Sequence, residues 1–476
     1  MKKEKTDILL VRPVNHSQQI VPQLSLGYLA TSLRNENISV EILDCVKSGF
    51  NYTQFKEYVR ECNPKVVGFQ MFTVDMLSTK KSIKIVKDIN SSILAVVGGA
   101  QPSGAPEDTL KYLDKADYGF CGESEISLVK FMEAAFASKL DEQTAPDIPG
   151  LIWKNGKNIV INKPEFIDDL DSLGFPSWDM LKPNTYPEAV QGYFFEKFPV
   201  AGIIATRGCP YSCTFCSAKL INAQKIRKRS IPHVIEEIQL LYKEYGIREI
   251  HVLDDNFSFY RDYIEGFCEE LIKTNLKISW RCANSIRLDT VSQELLKLMK
   301  RSGCYSVAFG IENGSDRILK KMKKKISLAE IEKSVKVTND SGIDVNGSFI
   351  IGYPGETEEE IKQTLKFSRK LGLKLANFNC LVPLPGTEVY NDLVKAGKLN
   401  DLNWEDYSYS TVVYVPDGLT KEKLKSYQRK AILQFYLRPK ILFYLVKNIK
   451  SVKHFCYILE AAFVYLFGKS GNSRNP

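Results

Sequence analysis

The stretch Arg207-Gly-Cys-Pro-Tyr-Ser-Cys-Thr-Phe-Cys216 carries three cysteines spaced C-x3-C-x2-C, at Cys209, Cys213 and Cys216, directly after the apolar run 200–205. Thiolates this close on one loop converge on a metal centre, and iron–sulfur clusters are held by cysteines at comparable spacings. Zinc is the competing reading. A structural zinc site wants four protein ligands, and no fourth Cys or His lies nearby, since His233 falls well downstream at the next helix start. Three ligands leave one position open, which suits a catalytic cluster better than a structural one.

Outward from this loop, strand-like and helix-like patterns alternate. Pro232 opens a helix with an apolar face of Val234, Ile235, Ile238, Leu241 and Tyr242, and Gly246 closes it. Strand candidates at 249–253, 279–283, 306–311, 344–351 and 375–381 join 200–205 to make six strands with intervening helices, enough for a partial parallel barrel. The first part of the chain alternates likewise through 7–11, 24–33, 38–43, 66–69 and 93–97. That predicts a doubly wound parallel sheet with helices on both faces. Such sheets bind ligands beyond the carboxyl ends of their strands, so the loops 12–23, 70–75 and 98–106 form the candidate binding edge. Between the two regions, 141–198 reads as a linker with a small hairpin at 150–161, turning at Asn155-Gly156.

Composition excludes disordered, collagenous and coiled-coil classes: of 476 residues, 44% are hydrophobic and 25% charged. The net charge of +9 belongs to the tail, because twelve of the 65 basic residues but only Glu422 and Glu460 of the 56 acidic ones lie beyond residue 420. Nucleic acid is therefore not an expected partner. The start, MKKEKTD followed by the short apolar run 8–11, lacks a signal-peptide core, and the eleven irregularly spaced cysteines are no secreted disulfide framework. A cytoplasmic location is expected. The longest apolar stretch of the tail, 455–467, is interrupted by Glu460 and is shorter than the roughly 20 residues a spanning helix needs.

The cysteine motif, with aromatic Phe215 before its last cysteine, resembles the signature of radical S-adenosylmethionine (radical SAM) enzymes. Leu253-Asp-Asp-Asn-Phe257, Ala308-Phe-Gly-Ile-Glu-Asn-Gly-Ser315, Gly347-Ser-Phe-Ile-Ile-Gly-Tyr-Pro-Gly-Glu-Thr357 and Val382-Pro-Leu-Pro-Gly-Thr387 are similar to that family's second, fourth, fifth and sixth strand-end motifs. The resemblance implies a partial (β/α)6 barrel and a 4Fe-4S cluster held by Cys209, Cys213 and Cys216, the catalytic and metal-ligating residues. S-adenosylmethionine would bind the unique iron and yield a 5′-deoxyadenosyl radical on reduction. Phe215 is then expected beside the adenine, and Gly310, Glu312 and Ser315 near the methionyl and ribose groups. Read without the resemblance, Gly310 is a turn glycine and Glu312 a helix cap. Arg281 and Arg287 are candidates to pair with a carboxylate, and Asp254 and Asp255 to position substrate or cofactor.

Pro22-Gln-Leu-Ser-Leu-Gly-Tyr-Leu-Ala30, Val96-Val-Gly-Gly-Ala-Gln-Pro102 and Tyr118-Gly-Phe-Cys-Gly-Glu-Ser-Glu125 resemble the cobalamin-binding class of radical SAM enzymes. This implies a Rossmann-like cobalamin domain in which Gly98 and Gly99 let backbone approach the macrocycle, with Thr73 grouped among the cofactor-binding residues. Where typical cobalamin domains carry D-x-H-x-x-G, this chain has Val14-Asn-His-Ser-Gln-Gln19, without the Asp and the Gly. His16 stands at the matching place and is read as a surface histidine rather than a cobalt ligand. Cys45, Cys62, Cys121, Cys268, Cys282, Cys304, Cys380 and Cys456 are expected to be buried free thiols.

The expected architecture is α/β: a cobalamin domain at 1–140, the linker at 141–198, the radical SAM barrel at 199–400 and a basic helical tail at 401–476. The expected activity is methylation of an unactivated carbon through methylcobalamin. The alternative is an oxidative cyclase or other ring-forming enzyme with the same cofactors. A methylthiotransferase is disfavoured because Cys45, Cys62 and Cys121 are wrongly placed for a second cluster, and a degenerate cobalamin sensor because the motifs are intact. Expected partners are a small-molecule or lipid-like substrate and a reductant such as flavodoxin or ferredoxin. In the tail, basic residues from Arg429 to Lys453 interleave with apolar ones, and Pro439 should divide the helix. That pattern fits either a helix packed on the barrel or one lying on the inner membrane face.

Overall fold

A computed structural model of the chain describes residues 6–15, 20–137, 140–189, 194–399, 403–407 and 411–467. In the first sheet β1 (Ile8–Arg12), β2 (Val40–Asp44), β3 (Val66–Gln70), β4 (Leu94–Gly98) and β5 (Tyr118–Phe120) run parallel in the order 2-1-3-4-5. The apolar run in β1 serves both faces, as a buried parallel strand must. Ile8 and Leu10 pack with Leu26, Leu33 and Phe131 on one side, while Leu9 and Val11 pack with Phe55, Val59 and Ile83 on the other. The strand order reverses between β1 and β3, so their carboxyl ends open the crevice where ligands of such sheets bind.

The hairpin expected in the linker does form, but as part of this sheet. β6 (Leu151–Asn155) pairs antiparallel with β5, and β7 (Asn158–Ile161) pairs with β6, making seven strands. Leu151, Ile152 and Trp153 are buried by the docking, which covers what would be an apolar edge. Its turn lies one residue later than the sequence suggested. Asn155 pairs with Asn158, and Gly156, at φ +60°, takes the first central position, where glycine meets no steric cost.

The second sheet has six parallel strands in sequential order: β8 (Val200–Ile203), β9 (Glu249–Val252), β10 (Ser279–Ile286), β11 (Cys304–Glu312), β12 (Asp344–Ile351) and β13 (Leu375–Cys380). Ala201, Ile250, Trp280, Val307, Val345 and Phe378 face the outer helices in one core. By the two-residue alternation of strands, Gly202, His251, Arg281, Ser306, Ala308 and Asn346 face inward. This is the expected partial barrel. Helix Ile231–Glu244 begins as foreseen, with Ser230 capping His233 N at 3.3 Å and Pro232 in the first turn, and Gly246 follows its end at φ +66°.

The tail is helical, in three pieces rather than two: Lys421–Tyr436, Pro439–Lys447 and Val452–Phe467. The first closes the barrel edge, with Leu424, Ala431 and Phe435 buried and the Gln428 amide donating to Phe378 O at 2.8 Å. Pro439 makes the first break, opening the second helix within its first turn. Among the described residues no helix is long and apolar enough to cross a membrane.

Candidate active site

The cysteine loop leaves β8 through a two-residue ribbon, Thr206–Arg207 paired with Arg227–Lys228. Gly208 follows at φ +101°, where a Cβ would lie 2.3 Å from Lys225 O, so the sharp turn before Cys209 requires glycine. Cys209 N donates to Ala223 O at 3.3 Å and Cys216 N to Cys213 O at 3.2 Å, which winds the loop on itself. All three thiols are half-buried. The seven cysteines from Cys45 to Cys380 outside the loop are buried as expected, but Cys456 is exposed, because its helix presents it to solvent rather than to the core.

Burial pushes the Cys216 thiol up to about 11 and also raises Cys209, with the neighbouring thiols and Asp255 adding to both. Opposing this, the Arg287 guanidinium lowers Cys209, and Lys324 lies close enough to feel Cys213. A metal centre that displaces the protons would relieve the cost of burial. Among the described residues no three His, Cys, Asp or Glu side chains are placed to hold a single ion. Three neighbouring thiols spread along a loop, with two cations beside them, fit an anionic polynuclear cluster better than zinc.

Asp254, at the end of β9, pins this loop. Its carboxylate accepts Ala205 N at 2.8 Å, and Thr206 N and Thr206 Oγ1 at 2.7 Å each, while Asp255 accepts Asn222 Nδ2 at 2.8 Å. Arg287 does pair with a carboxylate, donating twice to Asp289 at 2.8 Å, and its guanidinium stacks 3.7 Å from the Tyr211 ring centre. Arg281 does not: it is buried and donates to Phe194 O at 3.0 Å.

Glu312 ends β11 in the left-handed region, at φ +68°, and accepts Lys324 Nζ at 2.7 Å in a buried ion pair. A Cβ on Gly310 would lie 2.5 Å from Glu312 Oε1 and 2.7 Å from Lys324 Nζ, so this glycine makes room for the pair rather than forming a turn. An amino-acid zwitterion needs one anionic and one cationic partner, and Glu312 and Lys324 present both near Cys213. The chemistry of this donor set therefore fits S-adenosylmethionine. Ser315 is committed elsewhere, capping helix Asp316–Lys321 and donating to Glu360 Oε1 at 2.8 Å. Phe215 is half-buried against the cluster that holds Tyr353 and Leu393. Lys324 was not foreseen, since one lysine in the run Lys323-Lys-Lys325 looks like any solvated charge.

At the carboxyl edge of the first sheet, Gly99 stands at φ +111°, where a Cβ would meet Met71 O at 2.7 Å, and the space over Gly98 is open to 3.9 Å. Thr73 is buried at the start of a short turn, and Asp75 in that turn accepts Phe72 N at 2.9 Å and Asn15 Nδ2 at 3.0 Å, tying the loops after β1 and β3 together. Two amide oxygens on this edge, Gln70 Oε1 and Gln101 Oε1, are buried without a partner. Gly98, with the space over its Cα open, leaves this edge bare for the close approach of a bulky macrocycle such as cobalamin. His16 lies outside the described residues.

The two edges meet. Helix Ala100–Gly104 packs beside helix Ala218–Asn222, which follows Cys216, and Gly104 approaches Pro385 so closely that a Cβ would lie 2.3 Å from its carbonyl oxygen. A buried charge network bolts the contact. Arg227 donates to both oxygens of Glu123, at 2.6 and 2.8 Å, while Arg207 reaches Glu123 at 3.2 Å and Glu125 at 2.7 Å. Both glutamates lie in the segment that closes the first domain, and Arg207 stands two residues before Cys209.

Comparison with known proteins agrees with this arrangement. The B12 binding domain model matches residues 13–131, and the radical SAM superfamily model matches residues 203–368. An uncharacterized methyltransferase of Pyrococcus horikoshii is 33% identical over 464 residues, covering 96% of each chain. Cytidylyl-2-hydroxyethylphosphonate methyltransferase of Streptomyces wedmorensis is 28% identical over 79% of this chain and 78% of its own. In fold, the chain is similar to the cobalamin-dependent S-adenosylmethionine radical enzyme OxsB, solved with aqua-cobalamin and S-adenosylmethionine, at a TM-score of 0.72 and 16% identity over 98% of this chain and 74% of that one. The two sheets and their shared edge thus define a radical SAM enzyme with a corrinoid domain. The chain belongs to the cobalamin-dependent radical SAM family, whose cofactors are a 4Fe-4S cluster, S-adenosylmethionine and cobalamin, and it is a methyltransferase of that family.

Proposed function

We propose that the enzyme methylates an unactivated carbon of a small molecule held between the two carboxyl edges. The observation that carries this reading is the buried Arg207–Glu123–Arg227 network, which sets the cobalamin edge against the cysteine loop. When bound, the cofactors supply the carbon radical chemistry and the methyl group. The protein's part is placement. Cys209, Cys213 and Cys216 hold the cluster, Glu312 and Lys324 take the charged ends of S-adenosylmethionine, and Phe215 packs at its adenine. Gly310 keeps that space clear, and Ser315 acts by anchoring the following helix. Gly98 leaves the surface clear for the corrin, Gly99 lets the turn after β4 pass against Met71 so that this edge is set for it, Thr73 stands at its side, and His16 does not ligate cobalt. The reading extends to a cytoplasmic enzyme that draws electrons from flavodoxin or ferredoxin and takes a small-molecule or lipid-like substrate.

The test is anaerobic reconstitution with methyl-labelled S-adenosylmethionine and a metabolite extract. Label should enter one extract component, with 5′-deoxyadenosine formed alongside it. Replacing the three cysteines together by Ala should abolish bound iron and 5′-deoxyadenosine, and retention of both would refute the site. Label transfer without 5′-deoxyadenosine would count against an unactivated carbon as the acceptor. The cob(II)alamin spectrum should be unchanged in His16→Ala.

A further inference from the structure

The carboxyl-terminal helices retain an apolar surface after their packing is complete. Helix Pro439–Lys447 turns Ile441 and Tyr444 inward, where Ile441 is buried and the Tyr444 hydroxyl donates to Asp344 Oδ2 at 2.9 Å. Helix Val452–Phe467 is held by His454, fully buried against the Phe194 and Phe195 rings, and by the preceding Ser451, which bonds Glu188. An ordinary amphipathic helix would be polar on its other side. Here Phe443 is 71%, Val446 68% and Val452 81% exposed, and Phe455 and Leu459 continue the row at three- and four-residue spacing. Exposed lysines at 440, 447, 450 and 453 flank that row, and from 423 to 459 the chain has no acidic residue.

We propose that this surface docks the enzyme on an anionic lipid bilayer. A bilayer interface accepts apolar side chains below the headgroups while lysines meet the phosphates at the same depth, which is the pattern on these two helices. A second copy of the chain is a poorer occupant. A twofold contact would set the same lysines against themselves, with Glu460 the one carboxylate of these two helices to answer them. The helices lie on the surface rather than cross it, since none is long and apolar enough to span.

Co-sedimentation with phosphatidylcholine vesicles containing about one-third phosphatidylglycerol tests the proposal. The holoenzyme should pellet with these vesicles at low salt, several-fold less at high salt, and stay in the supernatant with pure phosphatidylcholine. Phe443→Ser with Val446→Ser, and charge reversal of the four lysines, should each lower the partition coefficient at least ~10-fold while leaving the cluster absorbance and Tm unchanged, because every altered side chain faces outward. Three results would overturn it: full recovery in the supernatant with anionic vesicles, equal binding to neutral ones, or variants that bind like the wild type. A concentration-dependent dimer lost in the Phe443→Ser, Val446→Ser variant would give the surface to a second copy instead. No turnover is measured, so failure here leaves the methyl-transfer reading standing.

Discussion

Burial pushes the Asp254 carboxyl up to about 7, against three hydrogen bonds from Ala205 and Thr206 that favour its charged form. An ordinary aspartate titrates near ~4. Between those values the unfolded chain has released a proton that the folded chain keeps, so the unfolded state binds fewer protons and stability falls as pH rises across that window. Urea unfolding between pH 5 and 8 should show this slope in the wild type and a flatter one in Asp254→Asn. Equal slopes would mean that Asp254 stays ionised in the fold, held by its donors. Glu356, also raised to about 7 by burial, contributes in the same sense to both proteins and does not confound the comparison.

The contact between helix Ala100–Gly104 and the loop at Pro385 leaves no room for a side chain, since the nearest backbone oxygen is 2.3 Å from where a Cβ would sit. Gly104→Val must therefore part the two edges. Overpacking of this kind costs about 1–3 kcal/mol, so Tm should fall and less cobalamin should copurify per protein. A variant with unchanged Tm and cobalamin content would show that the loop yields and that the charge network alone sets the docking. That network is the stiffer fastening. Glu123 and Arg227 are almost wholly buried, and removing one partner of such a pair leaves an uncompensated charge.

Across the whole chain, the tail is a structural part of the barrel before it is anything else. The six-strand sheet does not close, and its last strand, β13, would be an open edge without helix Lys421–Tyr436, whose Tyr436 hydroxyl donates to Ala376 O at 2.9 Å. Phe435 seals Phe378, itself stacked on Phe349 with ring centres 5.1 Å apart. Deleting residues 421–476 should bare an apolar edge and give an aggregating protein. Deleting residues 439–476 should keep the sheet covered and the protein disperse. Light scattering after size exclusion distinguishes the two outcomes, and a disperse 421–476 deletion would show that β13 needs no cover.

Much of this protein is written locally. Short apolar runs between helical patterns were enough to place ten of the eleven parallel strands, all but β5, because strand and helix periodicities are properties of contiguous residues. The cysteine spacing is likewise local, and so was legible along with the strand-end motifs. Tertiary structure decided what depends on distant partners. Glu123 and Arg227 are 104 residues apart, and nothing in either neighbourhood names the other. Lys324 became a partner of Glu312 only because β11 ends beside the turn that carries it. The hairpin at Leu151–Ile161 joined the first sheet because a free strand edge lay within reach, which a linker-like composition does not reveal. The tail's periodicity allowed a core-facing or a membrane-facing helix equally. Only the fold showed that its inward residues satisfy the packing, since burial is set by what a helix meets and not by its own sequence.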